Sequence, residues 1–297
     1  MPQLIVVLVL ALVLTGCQSS PTAGQEAEST AAATADGGAG TGSGSDADAA
    51  AVTLPPTTGH FDYQLGTAYE LDGGLDVVVR DATAQPADGA YGICYVNGFQ
   101  TQPGQADLWL GDNEDLLLHD AAGELVIDPD WPDEYILDPS TEEQRDRILD
   151  LLGPVLTGCA DAGFSGVEID NLDTWTRFDD PDTGLIEEDA ALALAGAYID
   201  LAHGAGLAIG QKNAAEATTA GRELGFDFAV TEECAAYTEC GAYTDVYGEH
   251  VLQIEYTDNL PDGFDAVCAD PDRGPLTILR DRDLVGPEDE AYAYEQC

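Results

Sequence analysis

The sequence predicts an α/β protein built as a (β/α)8 TIM barrel, preceded by a lipoprotein signal and a flexible linker. Eight short apolar runs follow one another from residue 61 to the C-terminal region. Patterns typical of helices separate most of these runs, as in successive βα units. Nearly every run ends in a polar side chain, which is expected at the carboxyl rim of such a barrel, where catalytic groups lie.

The first 15 residues form an apolar segment that leads into Leu14-Thr15-Gly16-Cys17. This segment is shorter than the ~20 residues that a membrane-spanning helix needs, and it ends in small residues and a cysteine, as a bacterial lipoprotein signal does. No Lys or Arg precedes it. We expect residues 1–17 to be a signal peptide, Cys17 to be lipidated, and the protein to be extracytoplasmic, either lipid-anchored or secreted.

Residues 18–55 are rich in Ala, Gly, Ser, Thr and Asp and contain almost no large apolar side chain. Such a segment cannot bury enough surface to offset the entropy lost on ordering, so we expect a flexible linker. The remaining residues, 56–297, show no second boundary and are expected to form one barrel domain.

The predicted strands are short runs rich in β-branched and aromatic residues. They cover residues 61–65, 75–81, 91–96, 167–170, 207–211, 226–230, 251–256 and 276–279. Phe226, Phe228 and Val230 of the sixth run are expected in the core. The long stretch 98–139 between the third and fourth runs is expected to be an insertion that shapes the substrate cleft, with room for a helix.

Two helices have clear sequence signals. The first begins at Ser140, which forms a capping-box pattern with Glu143 and precedes apolar residues at helical spacing. Pro154 within this pattern predicts a kink or an early end. The second helix covers roughly residues 187–203 and stops at glycine.

The charge balance is strongly acidic. The chain has 57 acidic and 9 basic residues, for a net charge of -48, and Lys212 is its only lysine. Phosphate backbones would be repelled, so we expect no nucleic acid partner. Two explanations of the acidity remain open: a solvated, salt-tolerant surface, or attraction of a cationic substrate such as an amino-sugar polymer.

Six cysteines remain after Cys17, and an even number in an exported protein favours three disulfides. Six cysteines allow 15 connectivities, and the sequence does not choose among them. The pairs considered are Cys234 with Cys240, Cys268 with Cys297, and Cys94 with Cys159. A zinc site is the alternative, but no CxxC pair is present and histidines are few, so we expect no metal and no cofactor.

Two runs end in carboxylates. Gly166-Val-Glu-Ile-Asp170-Asn171-Leu-Asp173 delivers acids and an amide where the run stops, and the sixth run leads into Thr231-Glu232-Glu233. Other runs end in Asp81, Asn97, Lys212 with Asn213, Glu255 with Tyr256, and Arg280 with Asp281. Paired carboxylates flanking a bond are the usual equipment for glycoside hydrolysis.

These segments also carry a family resemblance. The blocks GFSGVEIDNLD, AHGAGLAIGQKN, FDFAVTEECAAYTEC and QIEY occur in the order found in glycoside hydrolase family 114. The resemblance implies a TIM-barrel endo-α-1,4-polygalactosaminidase, with a polysaccharide substrate of galactosamine type. It also implies a catalytic pair at the ends of the fourth and sixth runs, which here are Asp170 and Glu232.

A retaining mechanism assigns distinct roles to the pair. Asp170 is expected to be the nucleophile, kept ionised by Lys212, and Glu232 the acid and base, kept protonated by nearby carboxylates. Glu233 is the alternative to Glu232, because strand alternation turns only one of them inward. The candidate substrate-binding residues are Asp81, Asn171, Asp173, Lys212, Asn213, Glu233, Glu255 and Tyr256, and Trp175 or Tyr256 is a candidate sugar-stacking platform.

Three other functions are compatible with the sequence. The first is a cell-surface barrel that binds a glycan without cutting it. The second is a calcium site formed by Asp81, Asp170 and Asp173, although no EF-hand ligand ladder is present. The third is a hydrolase of neutral α-galactosides. In each case we expect a monomer that contacts a membrane only through its lipid anchor.

Overall fold

A computed structural model of the protein describes residues 52–71 and 73–297. The expected signal peptide, the lipidation site Cys17 and nearly all of the linker lie outside the described residues. Within the part that is described, no helix has the length and apolar character needed to cross a membrane.

Eight parallel strands form a barrel wall, and one antiparallel strand extends it. The main sheet has the order β1-β2-β3-β4-β7-β8-β9-β10-β11, and β5 and β6 form a separate small hairpin. The strands are β1 Phe61–Gln64, β2 Val77–Asp81, β3 Tyr91–Asn97, β4 Gly166–Asp170, β5 Asp179–Asp180, β6 Gly184–Leu185, β7 Ala208–Lys212, β8 Phe228–Glu232, β9 Val251–Tyr256, β10 Leu276–Arg280 and β11 Tyr294–Gln296. All eight predicted barrel strands are confirmed, with every boundary within two residues of the prediction.

Strand β11 and a buried arginine connect the two ends of the sheet. β11 pairs with β10, and its Gln296 and Tyr294 side chains bond to the backbone of Phe61 in β1 at 3.2 and 2.8 Å. Arg280 of β10 forms a fully buried ion pair with Asp62 of β1 at 2.6 Å. Side chains therefore close the barrel between β1 and β10.

Helices cover the outside of the barrel from β3 onward. They are α1 Ala106–Trp109, α2 Glu142–Ala162, α3 Thr174–Arg177, α4 Glu188–Gly204, α5 Thr218–Leu224, α6 Cys234–Tyr237, α7 Cys240–Tyr247 and α8 Phe264–Ala269, with 3-10 turns at Glu114–Leu116 and Ala215–Ala217. The described parts of the β1–β2 and β2–β3 connections contain no helix. The expected alternation of strand and helix thus holds for the later five connections.

Helix α2 begins one residue later than predicted. Thr141 is its N-cap: the Thr141 hydroxyl accepts a hydrogen bond from the Gln144 backbone N–H, and the Gln144 side chain accepts one from the Thr141 N–H, both at 3.1 Å. The predicted box of Ser140 and Glu143 is wrong, because Ser140 donates to the Asp138 carboxylate instead.

Pro154 does not end helix α2, so the expected early end is also wrong. The helix continues for two more turns to Ala162 and stops at Gly163, whose φ of 99° suits glycine. Pro154 lies on the exposed side. There the carbonyl left without an N–H partner can bond to water, which lowers the cost of proline in a helix.

The connection between β3 and α2 is a packed substructure rather than an open loop. It contains α1 and four isolated β-bridges, among them Gln100 with Ile136 and Leu117 with Leu137. Trp109 and Leu116 of this segment are fully buried. Its apolar residues anchor it to the barrel, and Trp131 and Glu134 of the same segment line the cleft described below.

The core consists of two groups of buried side chains separated by the barrel wall. Alternate strand residues point inward, and these form one group that includes Tyr63, Phe228 and Val230. The other group lies between the sheet and the helices and includes Phe226. The three predicted core residues of the sixth run are therefore buried, as expected, on two different faces.

Three disulfides join the six described cysteines. They pair Cys94 with Cys159, Cys234 with Cys240, and Cys268 with Cys297, which confirms the three pairings considered from the sequence. The first ties β3 to α2, the second joins α6 to α7, and the third fixes the C-terminus to α8.

Candidate active site

The inward-facing residues at the carboxyl ends of the strands meet at one rim. Because side chains alternate along a strand, inward-facing residues near the carboxyl end of each strand point toward the mouth of the barrel. Such positions are occupied by Tyr63 of β1, Asp81 of β2, Tyr95 of β3, Asp170 of β4, Lys212 of β7, Glu232 of β8 and Tyr256 of β9, all of which line one cleft.

Lys212 lies at the centre of this rim. Its Nζ atom lies 2.7 Å from Glu232 Oε2, 3.3 Å from Asp170 Oδ1 and 3.6 Å from Glu168 Oε1, and its side chain is 1% exposed. It also donates to the Tyr63 hydroxyl at 3.0 Å. Burial acts to lower the pKa of Lys212, but the three carboxylates raise it well above its usual value, so the lysine stays charged.

Asp170 is held in its ionised form. The Tyr95 hydroxyl donates to Oδ2 at 2.7 Å, and the Asn171 backbone N–H donates to Oδ1 at 2.9 Å. Burial alone would raise the pKa of Asp170, but Lys212 and these two donors outweigh it and lower the pKa below its usual value. An ionised carboxylate in this position is equipped to act as a nucleophile.

Glu232 faces Asp170 across Lys212. Its Oε2 contacts the ammonium, and its Oε1 accepts a hydrogen bond from the Tyr256 hydroxyl. The Asn213 side chain accepts from the Glu232 backbone N–H at 2.8 Å, which fixes the end of β8. Its side chain remains 24% exposed, so it can reach a molecule in the cleft.

Glu233 is directed away from this pair. Its carboxylate binds Arg282 at 2.7 and 2.9 Å and accepts from Asn259 at 2.9 Å. Arg282 bonding lowers the pKa of Glu233 and keeps it ionised. The geometry therefore favours Glu232 over Glu233 as the partner of Asp170.

The residues that follow the three central strand ends share an unusual backbone conformation. Asn171, Asn213 and Glu233 have φ values of 66°, 47° and 63°. Asn tolerates this left-handed region, whereas Glu rarely adopts it. Such strain tends to accumulate at functional sites, and here it turns the chain outward directly after Asp170, Lys212 and Glu232.

The shared contact with Lys212 limits the separation of the two carboxylates. The contacts of 3.3 and 2.7 Å place Asp170 Oδ1 and Glu232 Oε2 no more than about 6 Å apart. Retaining glycosidases keep their two carboxyl groups about 5–5.5 Å apart, whereas inverting enzymes need about 6.5–9.5 Å. The upper limit on the separation of these two oxygens lies below the range for inverting enzymes.

The cleft above the rim has a volume of about 720 Å³ and is lined by polar and apolar groups in nearly equal share. Nine of its lining residues are acidic and three are basic. Each basic residue is already paired: Arg177 contacts Asp128 and Asp173, Arg282 contacts Glu233 and Asp258, and Lys212 contacts the central carboxylates. The cleft therefore offers an excess of negative charge to a bound molecule.

The structure brings together nine of the ten catalytic and substrate-binding residues predicted from the sequence. Those that line the cleft are Asp81, Asp170, Asn171, Asp173, Lys212, Asn213, Glu232, Glu233 and Tyr256. Trp175, one of the two candidate stacking residues, is 9% exposed and packs in the core, and the ring of Tyr256 is covered by Arg282 at 4.2 Å.

Glu255 is the exception, and its assignment to substrate binding is corrected. Its neighbours Ile254 and Tyr256 belong to the buried barrel interior, so strand alternation turns Glu255 toward the helices. Its side chain is fully buried and accepts from the Ala235 backbone N–H at 2.9 Å and from Gln253 at 2.8 Å. Glu255 therefore has a structural role, holding the backbone at the start of α6.

Several residues of the site were not predicted. Tyr63, Tyr95 and Glu168 occupy inward-facing strand positions. The alternation of side chains along each strand could have identified them from the sequence. Glu134 reaches the cleft from the long β3–α2 connection, and the side chain of Asn97 donates to it at 2.7 Å. Burial, the largest effect, raises the pKa of Glu134 to about 7.

One group of side chains has the spacing of a metal site among the described residues. It consists of Cys234, Cys240 and Glu255. The two cysteines form a disulfide, so they offer no thiolate to a metal. None of these three residues lines the cleft.

Comparisons with known proteins agree with this fold. A search of curated protein sequences gave no significant match. Among solved structures, Ega3 from Aspergillus fumigatus in complex with galactosamine aligns with a TM-score of 0.63 and 21% identity, covering 83% of this chain and 98% of that chain. The glycoside hydrolase domain of PelA from Pseudomonas aeruginosa aligns with a TM-score of 0.52 and 14% identity, covering 76% and 95%.

At these identities the two structures establish the barrel fold alone. The family assignment comes from the sequence profile of glycoside-hydrolase family GH114, which matches residues 42–297. That match covers most of the chain and all of the described barrel. The protein therefore belongs to glycoside-hydrolase family GH114 and is a glycoside hydrolase.

Proposed function

We propose that this protein hydrolyses α-1,4-linked galactosamine polymers with retention of configuration, using Asp170 and Glu232. The observation that carries the proposal is the position of Lys212 Nζ, which contacts both carboxylates at the floor of an acidic cleft. The resemblance of the fold to Ega3, whose structure contains galactosamine, supports the choice of sugar.

The chemistry follows from the two environments. Asp170 attacks the anomeric carbon while Glu232 gives a proton to the departing glycosidic oxygen, which leaves a glycosyl group bonded to Asp170. Glu232 then removes a proton from water as the water attacks the same carbon and releases Asp170. The first step uses Glu232 in its protonated form, and the second step uses it ionised.

The charge of the cleft supports a cationic substrate. An amino sugar carries an ammonium group at neutral pH, and the acidic lining residues outnumber the basic ones, all of which are paired. Glu134 and Asp173 lie close enough to Asp170 to interact with its charge, and Asp81 lines the same cleft. A neutral galactan would gain nothing from this excess of negative charge.

The proposal is tested by product release from deacetylated α-1,4-polygalactosamine. The purified protein is incubated with the polymer beside Asp170→Asn and Glu232→Gln, with Glu233→Gln as the matched control. We expect oligosaccharides from the parent and from Glu233→Gln, and a loss of about 10³-fold or more in both active-site variants.

Other outcomes would replace the proposal. If the parent binds the polymer but releases no oligosaccharide, the protein is a glycan-binding barrel. If Glu233→Gln is as inactive as Glu232→Gln, the assignment of the acid is wrong. Cleavage of neutral α-galactosides in preference to the amino polymer would leave the assignment of Asp170 and Glu232 unchanged and would contradict the proposed substrate.

We also propose that the barrel is exported and lipid-anchored through Cys17. The support is the short apolar segment and the Leu14-Thr15-Gly16-Cys17 sequence. In a bacterial host, the parent should partition with the membrane fraction, and Cys17→Ser should not acquire the lipid. Equal lipid labelling of both proteins would reject the anchor.

A further inference from the structure

One carboxylate below the catalytic pair has no role in the mechanism described so far. Glu168 lies two residues before Asp170 on β4, so strand alternation directs both side chains toward the barrel interior. Its side chain is fully buried and does not line the cleft. It therefore cannot touch the substrate, yet it lies within 3.6 Å of Lys212 Nζ.

Glu168 is joined to the pair by a short chain of hydrogen bonds. The Tyr63 hydroxyl donates to Glu168 Oε1 at 2.6 Å, and Lys212 donates to the same hydroxyl at 3.0 Å. Lys212 in turn contacts Asp170 and Glu232. Any change in the charge of Glu168 thus acts on the ammonium that the two catalytic carboxylates share.

The other oxygen of Glu168 lacks a hydrogen-bond partner in the part of the chain that the structure describes. Oε2 is buried and makes no hydrogen bond to the described residues. Burying an ionised carboxylate with an oxygen that has no hydrogen-bond partner costs much free energy of desolvation. A protonated carboxyl group is uncharged, so its burial costs less. In addition, three carboxylates compete for one ammonium, and Asp170 and Glu232 hold its closer contacts.

We propose that Glu168 is a positioning residue that acts through Tyr63 and Lys212 and that stores a proton beneath the catalytic pair. This inference rests on the proposed function for its effect on catalysis, but not for the proton itself. The charged and titratable groups that face Glu168 are Tyr63 of β1, Tyr95 of β3, Asp170 of β4, Lys212 of β7 and Glu232 of β8.

Glu168 changes its charge near neutral pH. Burial, the largest effect, raises the pKa of Glu168 to about 7, against the lowering effects of Lys212 and Tyr63. Below this pH, Glu168 is neutral. Above it, Glu168 adds a negative charge and competes for Lys212, and both changes make a proton on the catalytic pair easier to retain.

The proton is tested directly by infrared spectroscopy of the full-length protein as the pH is raised through 7. The carbonyl stretch of a protonated carboxylic acid should be present at low pH, should fade near pH 7, and should be reduced in Glu168→Gln. Glu134, whose pKa is also raised to about 7, is the matched control. Glu134→Gln should remove a different component and leave that of Glu168.

Tyr63→Phe provides a second variant in case Glu168→Gln does not fold. The Tyr63 hydroxyl stabilises ionised Glu168, so its removal should move the fading of the Glu168 band to higher pH. A band that Glu168→Gln retains in full, or that Tyr63→Phe leaves in place, would overturn the proposal. This readout requires no substrate, so it is independent of whether the proposed reaction is correct.

The effect on catalysis is measured on the pH profile of kcat/KM. In Glu168→Gln, the negative charge that appears above pH 7 is absent, so the alkaline limb should move to lower pH by about one unit. A purely structural role would lower activity at every pH without moving the limb. A limb that coincides with that of the parent, or that moves to higher pH, would contradict the role of Glu168.

Discussion

Lys212 shows how one residue can organise a site made mainly of acids. It is the only lysine of the chain, it is almost completely buried, and its ammonium contacts carboxylates from two strands besides its own. A single cation among three carboxylates leaves the cluster short of positive charge. Burial acts to raise the pKa of both Asp170 and Glu168, which lie on the same strand. At Asp170, Lys212 and the hydrogen-bond donors outweigh burial and lower the pKa, whereas at Glu168 burial prevails and the pKa is raised.

Replacement of Lys212 by methionine should destabilise the protein strongly. The change keeps the volume of the side chain but leaves the carboxylates without their counter-ion, at a cost of about 3–5 kcal/mol in the free energy of unfolding. The loss should be smaller at pH 5 than at pH 7, because protonation of the carboxylates relieves their repulsion. Denaturant unfolding at both pH values measures it.

Arg147→Met is the control for this prediction. Arg147 forms an ion pair with Asp115 on the surface, where such pairs contribute little, so its loss should leave stability nearly unchanged. Equal stability of Lys212→Met and the parent at pH 7 would show that the central cluster is not ionised as described.

At the residue scale, the sequence predicted the residues at the strand ends better than the buried residue beneath them. Asp170, Lys212 and Glu232 were found because each ends an apolar run. Glu168 was missed because it lies within its run. Glu255 was wrongly assigned because the end of a run, rather than its alternation, was used to choose it.

At the scale of elements, the long connections supply the surfaces on which a polymer can lie. Trp131, from the β3–α2 connection, and Tyr237, at the end of α6, are 60% and 65% exposed and both line the cleft. In the order of the barrel strands, the first precedes Asp170 and the second follows Glu232. They replace Trp175 and Tyr256 as the candidate stacking platforms.

Substitution of either exposed ring by alanine should weaken polymer binding. We expect Trp131→Ala and Tyr237→Ala each to raise KM by about 3- to 10-fold, since one aromatic contact contributes about 0.5–1.5 kcal/mol, with little change in kcat. Steady-state kinetics on polymers of defined length measure both constants. A fall in kcat with unchanged KM would assign these rings a different role.

The start of helix α2 gives a second prediction at this scale. Thr141→Ala removes the N-cap and should cost about 1 kcal/mol in the free energy of unfolding. Ser140→Ala changes a neighbouring hydroxyl that caps nothing in α2 and should cost clearly less. A larger loss for Ser140→Ala would restore the box first predicted from the sequence.

Local sequence signals explain which elements could be predicted. The barrel strands are apolar and bounded by turn residues, so their order was readable. Strand β11, Tyr294–Gln296, was not, because it is short and polar, pairs with β10, and is held to β1 by side-chain contacts across more than 200 residues of sequence. The structure of the 98–139 segment also depends on packing against residues that are distant in the sequence, which no local pattern encodes.

At the scale of the whole molecule, the net charge of -48 and the acidic cleft act in the same direction on a cationic polymer. Their attraction extends over the screening length, which falls from about 30 Å at 0.01 M salt to about 8 Å at 0.15 M. If the substrate is the proposed cationic polymer, the charge helps to gather it as well as to keep the surface solvated.

This attraction predicts a salt dependence that distinguishes the two explanations of the acidity. KM for deacetylated polygalactosamine should rise several-fold between these salt concentrations, because screening weakens the attraction. KM for the fully N-acetylated polymer, which is neutral, should change little. Equal responses of the two polymers would leave the acidity as a property of the surface alone.

The measurement that tests the central claim most directly is the configuration of the first product. Proton NMR during early hydrolysis of deacetylated α-1,4-polygalactosamine distinguishes the α and β anomers of the newly formed reducing end before they interconvert. Two carboxylates held within about 6 Å of each other by Lys212 predict that the α anomer appears first. Appearance of the β anomer first would contradict the assignment of Asp170 as nucleophile.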